Sequence, residues 1–146
     1  MAGLVAFLTD AGYRQVPLSR NGVGHFQAAG SVAGQPVAVL VDTGAASTLL
    51  DVAVARRLGL ALTKLDVRGA GAGGGGLEIF LVQGAQLVLG PVAPRPRALM
   101  AVDLTHVNQA LALKGASPVE AILGVDVFEA QAAVIDYGSQ SLFLRE

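Results

Sequence analysis

The chain has no cysteine, and only two of its 146 residues are histidine, His25 and His106. Without thiols, a disulfide framework, a thiolate metal site and a cysteine nucleophile are all excluded. Two histidines so far apart do not make a zinc site, so neither a metal nor a cofactor is expected. Charge of either sign is scarce. Ten basic and eleven acidic residues leave a net charge of -1, which argues against nucleic-acid binding, where a basic excess is normal. Charged residues make up 14% of the chain and hydrophobic ones 53%. A surface so thinly charged suggests that part of its apolar area is covered by self-association. Long hydrophobic runs are also missing. The longest stop at Asp42, Asp51 or Arg56, short of the ~18 residues a bilayer requires. No Lys or Arg precedes the run Gly3 to Leu8, so it lacks the layout of an export leader. No membrane association is expected, and the cytoplasm is the default location.

What the chain does have is glycine, nineteen in all, about twice the usual share. Many come after short Val, Leu or Ile runs, a pattern of short strands joined by turns. His25 to Val32 reads as a strand that turns at Gly34-Gln35 into a second, Pro36 to Val41. That second arm is apolar throughout, as a strand buried on both faces would be. Leu50 to Leu58 reads as a helix capped by Asp51 and stopped by Gly59. Leu62 to Val67 and Leu77 to Val82 read as strands flanking a glycine-rich segment, Arg68 to Gly76. Ala85 to Leu89 reads as another strand, before a stiff connection through Pro91, Pro94 and Pro96. Asp103 to Lys114 has a helical stripe of Leu104, Val107 and Leu111. Val119 to Leu123 reads as a strand and Val125 to Gln131 as a short helix. Ala133 to Asp136 and Ser141 to Arg145 close the chain as a hairpin. No repeat and no linker divides the chain. The expectation is one mainly β domain with two or three short helices over residues 25–146, preceded by residues 1–24 as an arm or first strand packed on it.

One segment stands out chemically. In Val41-Asp42-Thr43-Gly44-Ala45 a carboxylate ends an apolar strand, followed by a hydroxyl, a glycine and a small residue. Burial penalises the charged carboxylate, so this placement needs a compensating environment. Taken alone, the triplet fits a strand-ending turn equally well. Near the C-terminus stands Ile122-Leu123-Gly124, followed by Val125-Asp126-Val127-Phe128 and then Ile135-Asp136-Tyr137. These two motifs, in this order and on either side of a glycine-rich hairpin, resemble the retropepsin-like aspartic proteases, and the non-viral members in particular. The resemblance runs from about His25 to Arg145.

The resemblance implies a single-lobe acid protease fold and a set of roles. Asp42 would be the catalytic carboxylate. Thr43 would hydrogen-bond across a dimer axis to the matching segment of a second copy, with Gly44 and Ala45 completing the active-site loop. Gly69, Gly71, Gly73, Gly74, Gly75 and Gly76 would form the tip of a flap over the substrate. Ile122, Leu123 and Gly124 would support the Asp42 loop, and Ser141 to Arg145 would lie near the dimer interface. The substrate would be a peptide or protein.

The chemistry points to the same assembly. Two carboxylates held about 3 Å apart can share one proton and act as base and acid. The chain has one Asp-Thr-Gly. Asp10-Ala11-Gly12 precedes any core-like strand, and Asp136-Tyr137-Gly138 fits a hairpin turn. The second carboxylate is therefore expected from a second chain, through a two-fold axis. Ala45 brings no hydroxyl to the carboxylate, which should leave the dyad's apparent pKa values higher and the activity optimum weakly acidic to neutral. Two charges common in viral members are absent together, Ala46 and Val125 standing in their places, so dimer support should be more apolar. The stretch from Pro91 to Pro118 is longer than its viral counterpart and has no assigned role. The alternative reading is a catalytically inactive module of the same fold that binds a peptide or a partner protein. Gly69-x-Gly71-x-x-Gly74 matches a dinucleotide fingerprint literally, but Leu77 to Val82 beyond it alternate like a strand and not a helix.

Overall fold

The structure, a computed structural model, describes residues 2–71, 74–95 and 98–146. Helix α1 (Ala2–Asp10) leads into strands β1 (Tyr13–Pro17) and β2 (Ser19–Arg20). The hairpin of β3 (Phe26–Val32) and β4 (Gln35–Val41) comes next, then β5 (Leu49–Asp51) and helix α2 (Val52–Arg57). A long hairpin is made by β6 (Ala61–Gly71) and β7 (Gly74–Gln83). After it come β8 (Leu87–Val88), β9 (Leu99–Val102), helix α3 (Thr105–Leu113), β10 (Ala121–Leu123) and helix α4 (Val125–Ala130). The chain closes with β11 (Val134–Asp136) and β12 (Ser141–Arg145). The fold is mainly β, with four short helices among the described residues.

The strands form two sheets. The smaller runs β1-β12-β11 and the larger β2-β3-β4-β10-β5-β9-β7-β6, with β8 paired to β3. The order around β10 positions the site. β10 lies parallel to β4, with Leu123 opposite Val41, and antiparallel to β5, with Ala121 opposite Leu50. It therefore fills the gap between two strands that are neighbours in sequence. Both of its faces are buried. Ala121 and Leu123 join one core with Val39, Leu50 and Ala101. Ile122 joins a second core with Leu40, Val102 and Leu111. β4 is divided the same way, which is why neither strand alternates with polar residues.

Several elements differ from the sequence reading. The β3–β4 turn is Ala33-Gly34, one residue earlier than expected, with φ of 51° and 76°. Two successive positive φ values make the mirror-image turn that matches the strand twist, and glycine supplies one of them. Leu50 is not helical. It is a fully buried strand residue, and Asp51 caps a helix starting at Val52 by accepting the Ala53 N–H. The expected strand from Ala85 shrinks to Leu87–Val88, because Leu89 turns back to bridge Val92. The glycine-rich segment is mostly strand: β6 and β7 pair as far as Gly71 and Gly74. β9 lies within the stretch that had no assigned role. It pairs with β5 in parallel and with β7 antiparallel, joining the long hairpin to the central strands. No helix among the described residues is long and apolar enough to cross a membrane.

Candidate active site

β4 delivers Asp42 to the point where strand becomes loop. The Asp42 N–H donates to the Leu123 carbonyl at 3.0 Å and the Ala45 N–H to the Asp42 carbonyl at 3.2 Å. The Gly44 N–H donates to Asp42 Oδ1 at 2.9 Å. A Cβ on Gly44 would sit 3.3 Å from that oxygen, so glycine keeps the carboxylate uncrowded. The loop thus orients one carboxylate oxygen through a backbone donor, while the side chain stays partly exposed.

Support comes from the far end of β10, through backbone contact. The Val125 N–H donates to the Ala45 carbonyl at 2.8 Å and the Asp126 N–H to the Ala46 carbonyl at 3.3 Å. Gly124 lies flat against the loop. A Cβ there would fall 2.6 Å from the Ala45 carbonyl oxygen and 2.8 Å from that of Ser47. Backbone cannot move aside for it, so the position requires glycine.

A side-chain relay completes the support. Thr48 is buried at 6% exposure. Its hydroxyl donates to Asp126 Oδ1 at 2.7 Å and accepts the Gly124 N–H at 3.0 Å. The Thr48 N–H donates to Asp126 Oδ2 at 3.0 Å, and the Val127 N–H donates to Asp126 Oδ1 at 2.9 Å. Each residue has a sufficient local explanation, Thr48 as a buried hydroxyl within its loop and Asp126 as the acid in the first turn of α4. Their mutual bond is not local, spanning 78 residues, so no pattern in one stretch of chain announces it. Beneath this, Glu120 ties β10 to its neighbours. Its carboxylate accepts the Ala38 N–H at 2.9 Å and pairs with Arg57 at 2.9 Å. Partial burial pushes the Glu120 carboxyl up, but the Arg57 hydrogen bond, the Ala38 N–H and the Arg57 charge together hold it below its usual value.

Asp42 opens onto a cleft of about 340 Å³, with Phe26, Leu40, Ile135 and Tyr137 among its walls. Asp42 is the one carboxylate lining it among the described residues. Thr43 is exposed next to it, and its hydroxyl has no hydrogen-bond partner among the described residues. Asp42, Thr43, Gly44 and Ala45 are therefore brought together with Ile122, Leu123 and Gly124. The glycines expected in a flap lie elsewhere: Gly69 and Gly71 end β6, and Gly74, Gly75 and Gly76 begin β7. Three strands separate β7 from β4 in the sheet order. Gly73 falls outside the described residues. The literal dinucleotide match fails in context, since Gly74 opens a strand and not a helix. No group of three or more His, Asp or Glu among the described residues is placed to hold a metal ion.

Comparison with known proteins addresses the whole arrangement. The model of a family described as "Aspartyl protease" matches residues 28–127, a span holding both the Asp42 loop and β10. A search of curated proteins finds no match. Among solved structures, the chain is similar to the crystal structure of a retropepsin-like aspartic protease from Rickettsia conorii. Identity is 21%, coverage 90% of both chains and the TM-score 0.55. It is also similar to the retroviral protease-like domain of Ddi1 from Leishmania major. There identity is 18%, coverage 82% of this chain and 87% of that one, and the TM-score 0.56. At these identities the structural likeness speaks for the fold.

Proposed function

The chain belongs to the aspartyl protease family and has the retropepsin-like fold, and from that premise we propose that it is a homodimeric aspartic endopeptidase. The observation that carries the reading is one partly exposed carboxylate, Asp42, held at a strand end by a loop that β10 supports, and opening onto a cleft with no other acid among the described residues. One carboxylate cannot be base and acid at once. A two-fold axis beside the loop supplies the Asp42 of a second copy, and two such groups about 3 Å apart hold a single proton between them. The ionised member takes a proton from water as the oxygen attacks the peptide carbonyl. The protonated member donates to the carbonyl oxygen. Collapse of the tetrahedral intermediate breaks the C–N bond as the amine is protonated.

Two further features support this assembly. The exposed Thr43 hydroxyl lacks a partner within its own chain among the described residues, as suits a group that bonds across the axis. The β6–β7 hairpin is the element long enough to fold over a bound peptide, with Gly69 and Gly71 toward the end of β6 and Gly74 to Gly76 at the start of β7.

The test is Asp42→Asn. The variant should keep the parent's circular dichroism and melting temperature, keep its dimer mass in light scattering, and lose peptide hydrolysis at every pH. A variant that cuts a peptide library as fast as the parent overturns the enzyme reading. A stable parent dimer that turns over no peptide at any pH and binds no statine-type inhibitor leaves the peptide-binding module instead.

A further inference from the structure

The cleft beside Asp42 has a floor and a lip of different chemistry. The floor is apolar: Phe26 and Leu40 are buried core residues, and Ile135 is half-buried beside them. The lip is built from two preformed turns. In one, Asn21 Oδ1 accepts the N–H groups of Val23 and His25, which fixes the His25 backbone at the edge of the cleft. In the other, the Asp136 carboxylate accepts the Ser139 hydroxyl at 2.6 Å and the N–H groups of Ser139 and Gly138. This presents Tyr137, which stays 67% exposed.

Arg20 bridges the two turns. Its guanidinium carbon is 4.7 Å from the centre of the Phe26 ring and 5.5 Å from that of Tyr137. The two rings meet edge to face at 4.9 Å. One guanidinium nitrogen, Nη1, donates to the Gly24 carbonyl at 3.3 Å. Stacking on aromatic faces holds a guanidinium in place while its edge donors remain available. Three ion pairs are formed among the described residues, and Arg20 is in none of them. The acid nearest in sequence to Tyr137, Asp136, is engaged in its own turn. The Ser139 hydroxyl and N–H hold the Asp136 carboxyl below its usual value. A positioned cation outside any ion pair among the described residues is therefore stacked on two aromatic residues that line the cleft.

We propose that this cleft is a substrate side-chain subsite, and that Arg20 selects peptides carrying a carboxylate beside the large apolar residue seated on the Phe26–Leu40–Ile135 floor. The substrate class is then an acidic-flanked apolar peptide, and Arg20 is a specificity residue outside the reacting atoms. The inference rests on the endopeptidase reading, whose own failure is seen separately, as absence of any cleavage.

The experiment uses synthetic peptides with an apolar central pair and Glu, Gln or Lys placed in turn at each flanking position. With the parent protein, kcat/KM for the best Glu peptide should exceed that for its Lys counterpart by about fivefold, the size expected for one exposed ion pair. The ratio should shrink in about 0.5 M salt, where the screening length is only a few ångströms. Arg20→Gln should bring the ratio to one, and Arg20→Lys should restore part of it, because charge without stacking is retained. An Arg20→Gln ratio equal to the parent's, or no Glu preference in the parent, overturns the proposal. If no peptide is cut, the same set is titrated against parent and Arg20→Gln by fluorescence anisotropy. An Arg20-dependent preference for the Glu peptides in Kd upholds the subsite. Equal or undetectable binding overturns it.

Discussion

Replacing Thr48 by Val tests whether the buried hydroxyl holds the Asp42 loop to β10. The substitution keeps the side-chain shape and removes one oxygen. Two interactions go with it. Gly124 N–H loses its acceptor in a buried setting, which costs about 1–3 kcal/mol. Asp126 loses one of its three donors, and a hydrogen bond to a charged group contributes about 1.5–3 kcal/mol. The site is only partly buried on the Asp126 side, so the low end of each range applies and the sum is about 2.5 kcal/mol. Typical domain stabilities are about 5–15 kcal/mol, so the variant should still fold. For a domain of this size that loss lowers Tm by about 8 °C. Thr48→Ser is the control. It keeps both hydrogen bonds and loses one buried methyl, about 1 kcal/mol and about 3 °C. Melting is tracked by circular dichroism at one fixed protein concentration, because association shifts Tm. Peptide hydrolysis, measured well below both midpoints, should fall in the Val variant and survive in the Ser variant. A Val variant that melts within a degree or two of the Ser variant would show that the hydroxyl contributes shape alone, and would refute the relay.

Gly124→Ala should be worse tolerated than either, because its methyl meets two carbonyl oxygens under 3 Å away; a loss of about 3 kcal/mol is expected from overpacking, read as the urea midpoint. Glu120→Gln tests the acid limb of stability. The folded-state carboxyl is held below its usual 4.5, so its contribution is complete above that value and is lost as pH falls through the lower folded value. The parent should therefore weaken as pH falls below about 4.5, while the Gln variant weakens less over the same fall; equal slopes in urea titrations would contradict this. The activity optimum should be weakly acidic to neutral, because Ala45 brings no hydroxyl to the dyad. A profile of kcat/KM against pH peaking below about pH 3, toward the lower pepsin value, would count against it.

The site is legible where chemistry and backbone geometry coincide in a few adjacent residues. Asp42-Thr43-Gly44 sits at the end of a strand apolar enough to be read as doubly buried, and Gly124 comes directly after a second such strand. Backbone carbonyls require a glycine at 124, and glycine at 44 keeps the Asp42 carboxylate uncrowded; each leaves a mark in one short stretch. The relay between Thr48 and Asp126 leaves none, because each residue has an acceptable local explanation and only the fold brings them together. The same holds for the subsite: Arg20, Phe26, Ile135 and Tyr137 come from four different elements or turns. Among the secondary elements, α1 has no counterpart in the sequence reading. It lacks an acid in its first turn and a base in its last, and among its described side chains Leu8 alone is buried. β9 is equally hard to read, because four apolar residues after a proline-rich stretch carry no period of their own; pairing on both edges, with β5 and β7, makes them a strand.

The placement of β10 also governs when the Asp42 loop can take shape during synthesis. Residues through Asp51 leave the ribosome with a vacancy between β4 and β5 that nothing nearby can fill. The strand that fits it emerges only from Ala121 onward, and the Asp126 carboxylate that fastens Thr48 follows 78 residues behind it. Contacts of such long sequence separation form slowly. A nascent chain halted before Gly124 would thus carry the acid without the brace beneath it, and translation must pass Asp126 before the loop is held in place.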